Sequence, residues 1–215
     1  MSLLTQKDVK KYISILNSDG TLRTVVDKNT PGAVEREYET SDGKKGSKFE
    51  LVFAKLEGKI TNIAFWEGDY GKNLQIEVEN VGEKAVLSVG VESSFGEDIM
   101  KKLPNIALDK EISFEPFAFE NDKGKQVKGV SIKQGGEKIA NYYWDANKKK
   151  PLNGLPKIDG KAENFDKDDW KVHFIKVRKF LTEEVQKLIE VKFPPKTPEP
   201  LEFPEDNMPV GDIPF

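Results

Sequence analysis

Along most of the chain, apolar and polar residues alternate over short runs, and Gly, Asn and Asp clusters separate the runs. A period of two is the mark of half-buried strands, and the clusters supply the turns. Residues 12–16 and 22–26 flank Ser18-Asp19-Gly20, a hairpin signal. Residues 35–39 and 48–53 flank a basic turn at 41–46. Residues 59–66 and 74–79 flank a turn at 67–73. In the later strand Leu74, Ile76 and Val78 point one way, and Gln75, Glu77 and Glu79 the other. A turn at 80–84 leads into a strand over 85–91.

The pattern then changes. Ser94-x-x-Glu97 reads as a capping box, with Ile99, Met100 and Leu103 behind it and Pro104 as the stop. This predicts one short helix. Strands follow over 111–120, 126–133 and 139–144. Residues 145–169 read as loop, with the acidic run from Asp166 to Asp169. Residues 171–179 alternate again, with Val172 and Phe174 on one side. A helix is predicted over 182–190, with Thr182 as N-cap and Val185, Leu188 and Ile189 as its apolar stripe. The fold class is therefore mainly β.

Composition narrows the chemistry. The chain has 215 residues, no cysteine and one histidine, His173. Disulfides, thiolate zinc sites, cysteine nucleophiles and multi-histidine metal sites are excluded. No stretch has the apolar length of a membrane span, and the N-terminus lacks an apolar signal core. An intracellular, reducing compartment is expected. Phosphate-loop, dinucleotide and nucleophile-elbow motifs are absent. His173 reads as an ordinary strand histidine rather than a catalytic base. Asp166, Asp168 and Asp169 lack the glycine and distal glutamate of a calcium loop and read as a solvated acidic loop. Neither enzyme chemistry, nor a metal, nor a cofactor is expected.

Charge becomes informative once it is divided along the chain. The whole chain carries −3. Residues 193–215 hold one base, five acids and seven of the twelve prolines, leaving 33 bases and 32 acids in residues 1–192. The body is nearly neutral, and the acidity sits in a Pro-rich tail expected to be disordered.

Three segments place aromatic and basic residues together. The first holds Phe65, Trp66, Tyr70 and Lys72; Lys59 precedes it on the same strand. The second runs from Phe114, Phe117 and Phe119 into Lys123, Lys125 and Lys128. The third is Tyr142-Tyr143-Trp144, followed by Lys148 to Lys150. Rings stack on bases and cations neutralise phosphates, so this mixture suits single-stranded nucleic acid. A β-rich core also consumes aromatics, and about half of these are expected inside. In a regular strand Tyr143 must face away from Tyr142 and Trp144.

The chain ends in Asp212-Ile213-Pro214-Phe215. A terminal Phe after an acidic run is a tethered ligand: the ring enters a pocket while carboxylates meet basic residues. This ending resembles the tip of bacterial single-stranded DNA-binding proteins. The body, with three strands, a short helix and two strands over about residues 50–145, resembles the OB-fold. Its N-terminal extension and late helix are closer to the bacteriophage members. The resemblance implies a five-stranded OB barrel with extra N-terminal hairpins, a short helix after the third barrel strand, a C-terminal helix and a disordered tail. It implies one OB-fold domain over 1–192 and a tail over 193–215. It implies sequence-independent binding and protection of single-stranded DNA in replication, recombination and repair, in the cytoplasm of a bacterial host. Asp212, Ile213, Pro214 and Phe215 would dock partner proteins. Lys59, Phe65, Trp66, Tyr70, Lys72, Phe117, Lys123, Lys125, Lys128, Tyr142 and Trp144 would contact DNA. Some family members form homo-oligomers. The competing expectation is a β-rich protein-interaction adaptor that binds no nucleic acid.

Overall fold

The computed structural model describes residues 10–40, 43–68, 71–158 and 160–194. Its strands are β1 (Lys11–Ile15), β2 (Leu22–Val26), β3 (Val34–Glu39), β4 (Lys45–Phe53), β5 (Leu56–Gly68) and β6 (Gly71–Asn80). Then come β7 (Glu83–Gly90), helix α1 (Ser94–Lys102), β8 (Glu111–Glu120), β9 (Gln126–Gln134) and β10 (Glu137–Lys138). The short β11 (Trp144–Asp145) and β12 (Lys150–Pro151) precede helix α2 (Lys167–Lys192).

The first ten strands form one sheet in the order β10-β9-β8-β5-β6-β7-β1-β2-β4-β3. Its ladders are antiparallel except where β1 runs parallel to β7, with Ile13 beside Leu87. The closed five-stranded barrel that was expected is not seen: its strands belong to one ten-stranded sheet. Among the described residues no ladder joins β7 to β9. Instead β1 takes the free edge of β7, and α1 lies along β9. Asp98 accepts from the Val130 N–H at 2.7 Å, and Lys102 donates to the Val130 carbonyl at 2.6 Å. Side chains of α1 thereby satisfy edge groups that a strand would otherwise pair.

The core follows the predicted alternation. Leu74, Ile76 and Val78 are buried, and their β5 and β7 neighbours Ile60, Ile63, Leu87 and Val89 share that face. Phe114, Val130 and Ile132 extend it, and Phe95, Ile99 and Met100 of α1, with Leu103 just after it, cover it. Each such side chain contributes about 1.5–3 kcal/mol when fully buried.

At the N-terminal end, the turn between β1 and β2 reaches across to β8. Gly20 sits in the left-handed region at φ 72°, and a Cβ there would lie 2.6 Å from the Phe117 carbonyl carbon. On β4, Glu50 is only 2% exposed. It accepts hydrogen bonds from Arg23 at 3.2 Å and Arg36 at 2.8 and 3.0 Å, and pairs with Lys48 at 2.9 Å.

Several expectations are corrected. The strand expected over 171–179 belongs to α2, whose buried stripe Val177, Leu181 and Val185 recurs every four residues. Val172 and Phe174 mimic alternation, but the longer stripe needs a helix. Asp166, read as a solvated loop residue, is the α2 N-cap: it accepts from the Asp168 and Asp169 N–H groups, and Asp169 reciprocates to the Asp166 N–H. Thr182 lies in mid-helix. The α1 cap is Ser93, one residue early: its hydroxyl accepts from the Gly96 N–H at 3.0 Å.

The strand expected over 139–144 is corrected as well. Only Glu137 and Lys138 pair with β9. The chain then turns under α1, where the Tyr142 N–H donates to the Lys101 carbonyl at 2.9 Å. Tyr143 enters the core, its ring 5.5 Å from that of Phe180 on α2. The turn expected at 67–73 is shorter, because Trp66–Asn73 and Glu67–Lys72 are register pairs of the β5–β6 ladder.

Candidate nucleic-acid interface

On the β5–β6 hairpin, Trp66 is 53% exposed and its indole lies over Gly68. Phe65 is half-buried, with the Lys72 ammonium 4.4 Å from its ring centre. That geometry is a cation–π contact, so Lys72 and Phe65 form one unit. Tyr70, between them, lies outside the described residues, as do Asp212, Ile213, Pro214 and Phe215. Lys59, further along β5, stands in register with Glu79 and Glu111.

The second segment divides. Phe114 is core, Phe119 is exposed, and Phe117 lies half-buried between them. The Phe117 and Phe119 rings are 5.9 Å apart. Gly129, opposite Phe117, leaves room for that ring: a Cβ would come within 2.9 Å of Phe117 Cζ. Lys123 and Lys125 lie exposed at the β8–β9 turn. Lys128 donates to Asn17 Oδ1 at 3.1 Å, from the same β1–β2 turn that rests on β8.

Phe117 and Lys128 open into a cleft of about 540 Å³ between α1, β8–β9 and α2. Its walls also carry Lys101, Lys102, Arg178, Glu97, Asp98, Asn141 and Phe174. Lys101 pairs with Glu97 at 2.6 Å and Lys102 with Asp98 at 2.8 Å. Arg178 Nε is 3.6 Å from Glu97 Oε2, within ion-pair range, and has no hydrogen-bond acceptor. Four cations against two carboxylates leave the walls at +2.

A neighbouring cavity of about 400 Å³ shares Glu97, Lys101, Asn141 and Phe174 with the cleft. Trp144 and His173 line it. Tyr142 and Trp144 are 38% and 42% exposed, while Tyr143 is 1% exposed. The predicted division of the triplet therefore holds, although a turn at Tyr142 and Tyr143 leading into β11, rather than one regular strand, produces it. Tyr143 sits between Tyr142, edge-on at 5.0 Å, and Phe180. Burial first, then the Glu184 carboxylate and Tyr142, push its phenol up to about 12.

The structure thus joins Phe117 and Lys128 in one cleft, and places Trp144 next to it. The sequence reading missed Lys101, Lys102, Phe174 and Arg178. A spacing signal existed, since Glu97–Lys101 and Asp98–Lys102 are helical i,i+4 pairs. Phe174 and Arg178 were hidden by the strand reading of 171–179.

Elsewhere the surface is less favourable to a polyanion. The outward face of β6 presents Gln75, Glu77 and Glu79. No helix among the described residues is long and apolar enough to cross a membrane. No protein-family model matches this chain, and no curated protein or solved structure matches it significantly.

Proposed function

We propose that this protein binds single-stranded DNA without sequence preference, through an OB-type barrel at the centre of its sheet. The strand order β9-β8-β5-β6-β7, with α1 between β7 and β8, supports the OB reading. In it, β1 and α1 fill the seam where the last barrel strand would meet the third.

The observation that carries the proposal is the cleft in which Phe117 and Phe174 share one space with Lys101, Lys102, Lys128 and Arg178. Rings accept any base by its π-face, and cations follow the phosphates, so such a site reads strand chemistry rather than sequence. Bases stack on Phe117 and Phe174. Phosphates take the Arg178 donors and compete with Glu97 and Asp98 for Lys101 and Lys102. Trp144 extends the aromatic surface into the next cavity. Trp66 and the Phe65–Lys72 unit offer a further stacking point on the β5–β6 hairpin.

On this reading the protein protects single strands during phage-type replication, recombination and repair. The Asp212-Ile213-Pro214-Phe215 ending recruits partner proteins.

Titration of the intrinsic tryptophan fluorescence with oligo-dT at low salt tests the proposal. Quenching that weakens steeply as salt rises is expected. Absence of quenching, with no mobility shift of the oligonucleotide, overturns it in favour of an adaptor. Deleting residues 207–215 should leave DNA affinity unchanged or tighter and abolish partner capture; a loss of DNA affinity refutes that division of labour.

A further inference from the structure

Beyond the cleft, the N-terminal half of α2 carries a chain of rings. Trp170 and Phe174 are stacked, with centres 5.7 Å apart and planes at 27°. His173 lies 5.9 Å from Phe174. Phe174 is 42% exposed although it is backed by an indole. A helix in water gains nothing by leaving such a ring uncovered, but a nucleobase gains a rigid platform.

The surroundings are basic. A cavity of about 390 Å³ opens on the His173 side of these rings, lined by Lys157, Lys161 and Lys176 together with His173 and Phe165. Among the described residues one carboxylate, Asp169, also lines it, and it accepts from the Asp166 N–H of the helix cap. Lys161 has only a long, exposed pairing with Glu163 at 3.7 Å. His173 lines both this cavity and the one holding Trp144, and Phe174 lines both the latter and the main cleft. The three spaces therefore form a continuous series across α2.

We propose that single-stranded nucleic acid leaving the cleft continues over α2, from the base stacked on Phe174 at the cleft wall to phosphate contacts at Lys157, Lys161 and Lys176. The proposal rests on the single-strand-binding reading and specifies the course of the strand. It makes α2 part of the binding surface rather than only a cover for the core. The binding site is then longer than the cleft alone.

The experiment uses the full chain and oligo-dT of increasing length. The first variant is Lys157→Gln/Lys161→Gln/Lys176→Gln, at three exposed positions. Each lost phosphate contact lowers the slope of log affinity against log salt by about 0.7, so a decrease of about 2 is expected. The second variant, Trp66→Phe/Trp144→Phe, leaves Trp170 as the only tryptophan. Its fluorescence should be quenched by long oligonucleotides and less by short ones. An unchanged salt slope in the lysine variant, or an unresponsive Trp170, overturns the path over α2 while leaving the cleft intact. Failure of the unmodified protein to bind oligo-dT overturns the underlying reading as well.

Discussion

The carboxylate of Asp98 accepts a hydrogen bond from the backbone N–H of Val130 at 2.7 Å, joining the middle of a helix to strand β9. Val130 is fully buried, so this N–H has no access to water as a substitute partner. An unsatisfied buried donor costs about 1–3 kcal/mol. Asp98→Ala should lower the unfolding free energy by that amount, measured by urea denaturation. Because Asp98 also holds Lys102 in the cleft wall, the same variant changes the charge presented to DNA.

Glu50 makes stability depend on acid. Hydrogen bonds from Arg36 hold its carboxyl well below the usual range, at about 2; burial opposes this, and Lys48 and Arg23 add to it. A depressed folded pKa contributes stability that is complete above the unfolded value and lost as pH falls through the folded one. The contribution should therefore fade between about pH 4.5 and pH 2. Glu50→Ala removes one side of a buried ion cluster and should cost roughly 3–5 kcal/mol at neutral pH. The gap between variant and parent in urea should narrow across that acid window.

Tyr143 gives the opposite sign. Its phenol is pushed up to about 12, chiefly by burial. The stabilisation from keeping it neutral is intact below pH 10 and lost as pH rises toward 12. Absorbance at 295 nm should show one of the five tyrosines ionising last, and Tyr143→Phe should remove that step.

Within the binding surface, Phe117→Ala and Trp66→Ala should each weaken oligo-dT binding by roughly 5- to 150-fold, the equivalent of about 1–3 kcal/mol per stacked base. Lys128→Gln should mainly flatten the salt dependence. Fluorescence titrations at several salt concentrations separate the two effects.

Gly20 is a constrained backbone position outside the cleft. An alanine there meets both a left-handed φ and the Phe117 backbone. Gly20→Ala should cost about 2 kcal/mol or more, the sum of torsional strain and overpacking. A melt measured by circular dichroism gives the value, and a binding titration shows whether displacement of Phe117 follows.

Much of the sheet was legible because its strands bury one face. In β6, Leu74, Ile76 and Val78 alternate with polar residues, and their burial follows. Strand β8 was placed over its full length, Glu111–Glu120, for the same reason. Helix α2 was half-hidden. Its Val172, Ile175 and Val177 are β-branched, and the exposed Val172 and Phe174 filled positions that polar residues would occupy on an ordinary amphipathic helix. The cleft was legible only in pieces. Phe117 and Lys128 come from adjacent strands, but Phe174 and Arg178 arrive from a helix that packs there through long-range contacts. No local pattern encodes that meeting.

The parallel pairing of β1 with β7 sets the order in which the chain can become whole. Lys11 finds Ala85 only after three intervening hairpins have been made. The β1–β2 turn finds the Phe117 backbone later still. During synthesis the first hairpin therefore emerges with its apolar side uncovered and waits for half the chain to follow. Such distant closure is slow, because loop entropy is spent before the contacts form. While β1 is unpaired, the edge of β7 is open to the equivalent strand of another nascent copy, and crowded expression at high temperature is where strand-exchanged aggregates should accumulate.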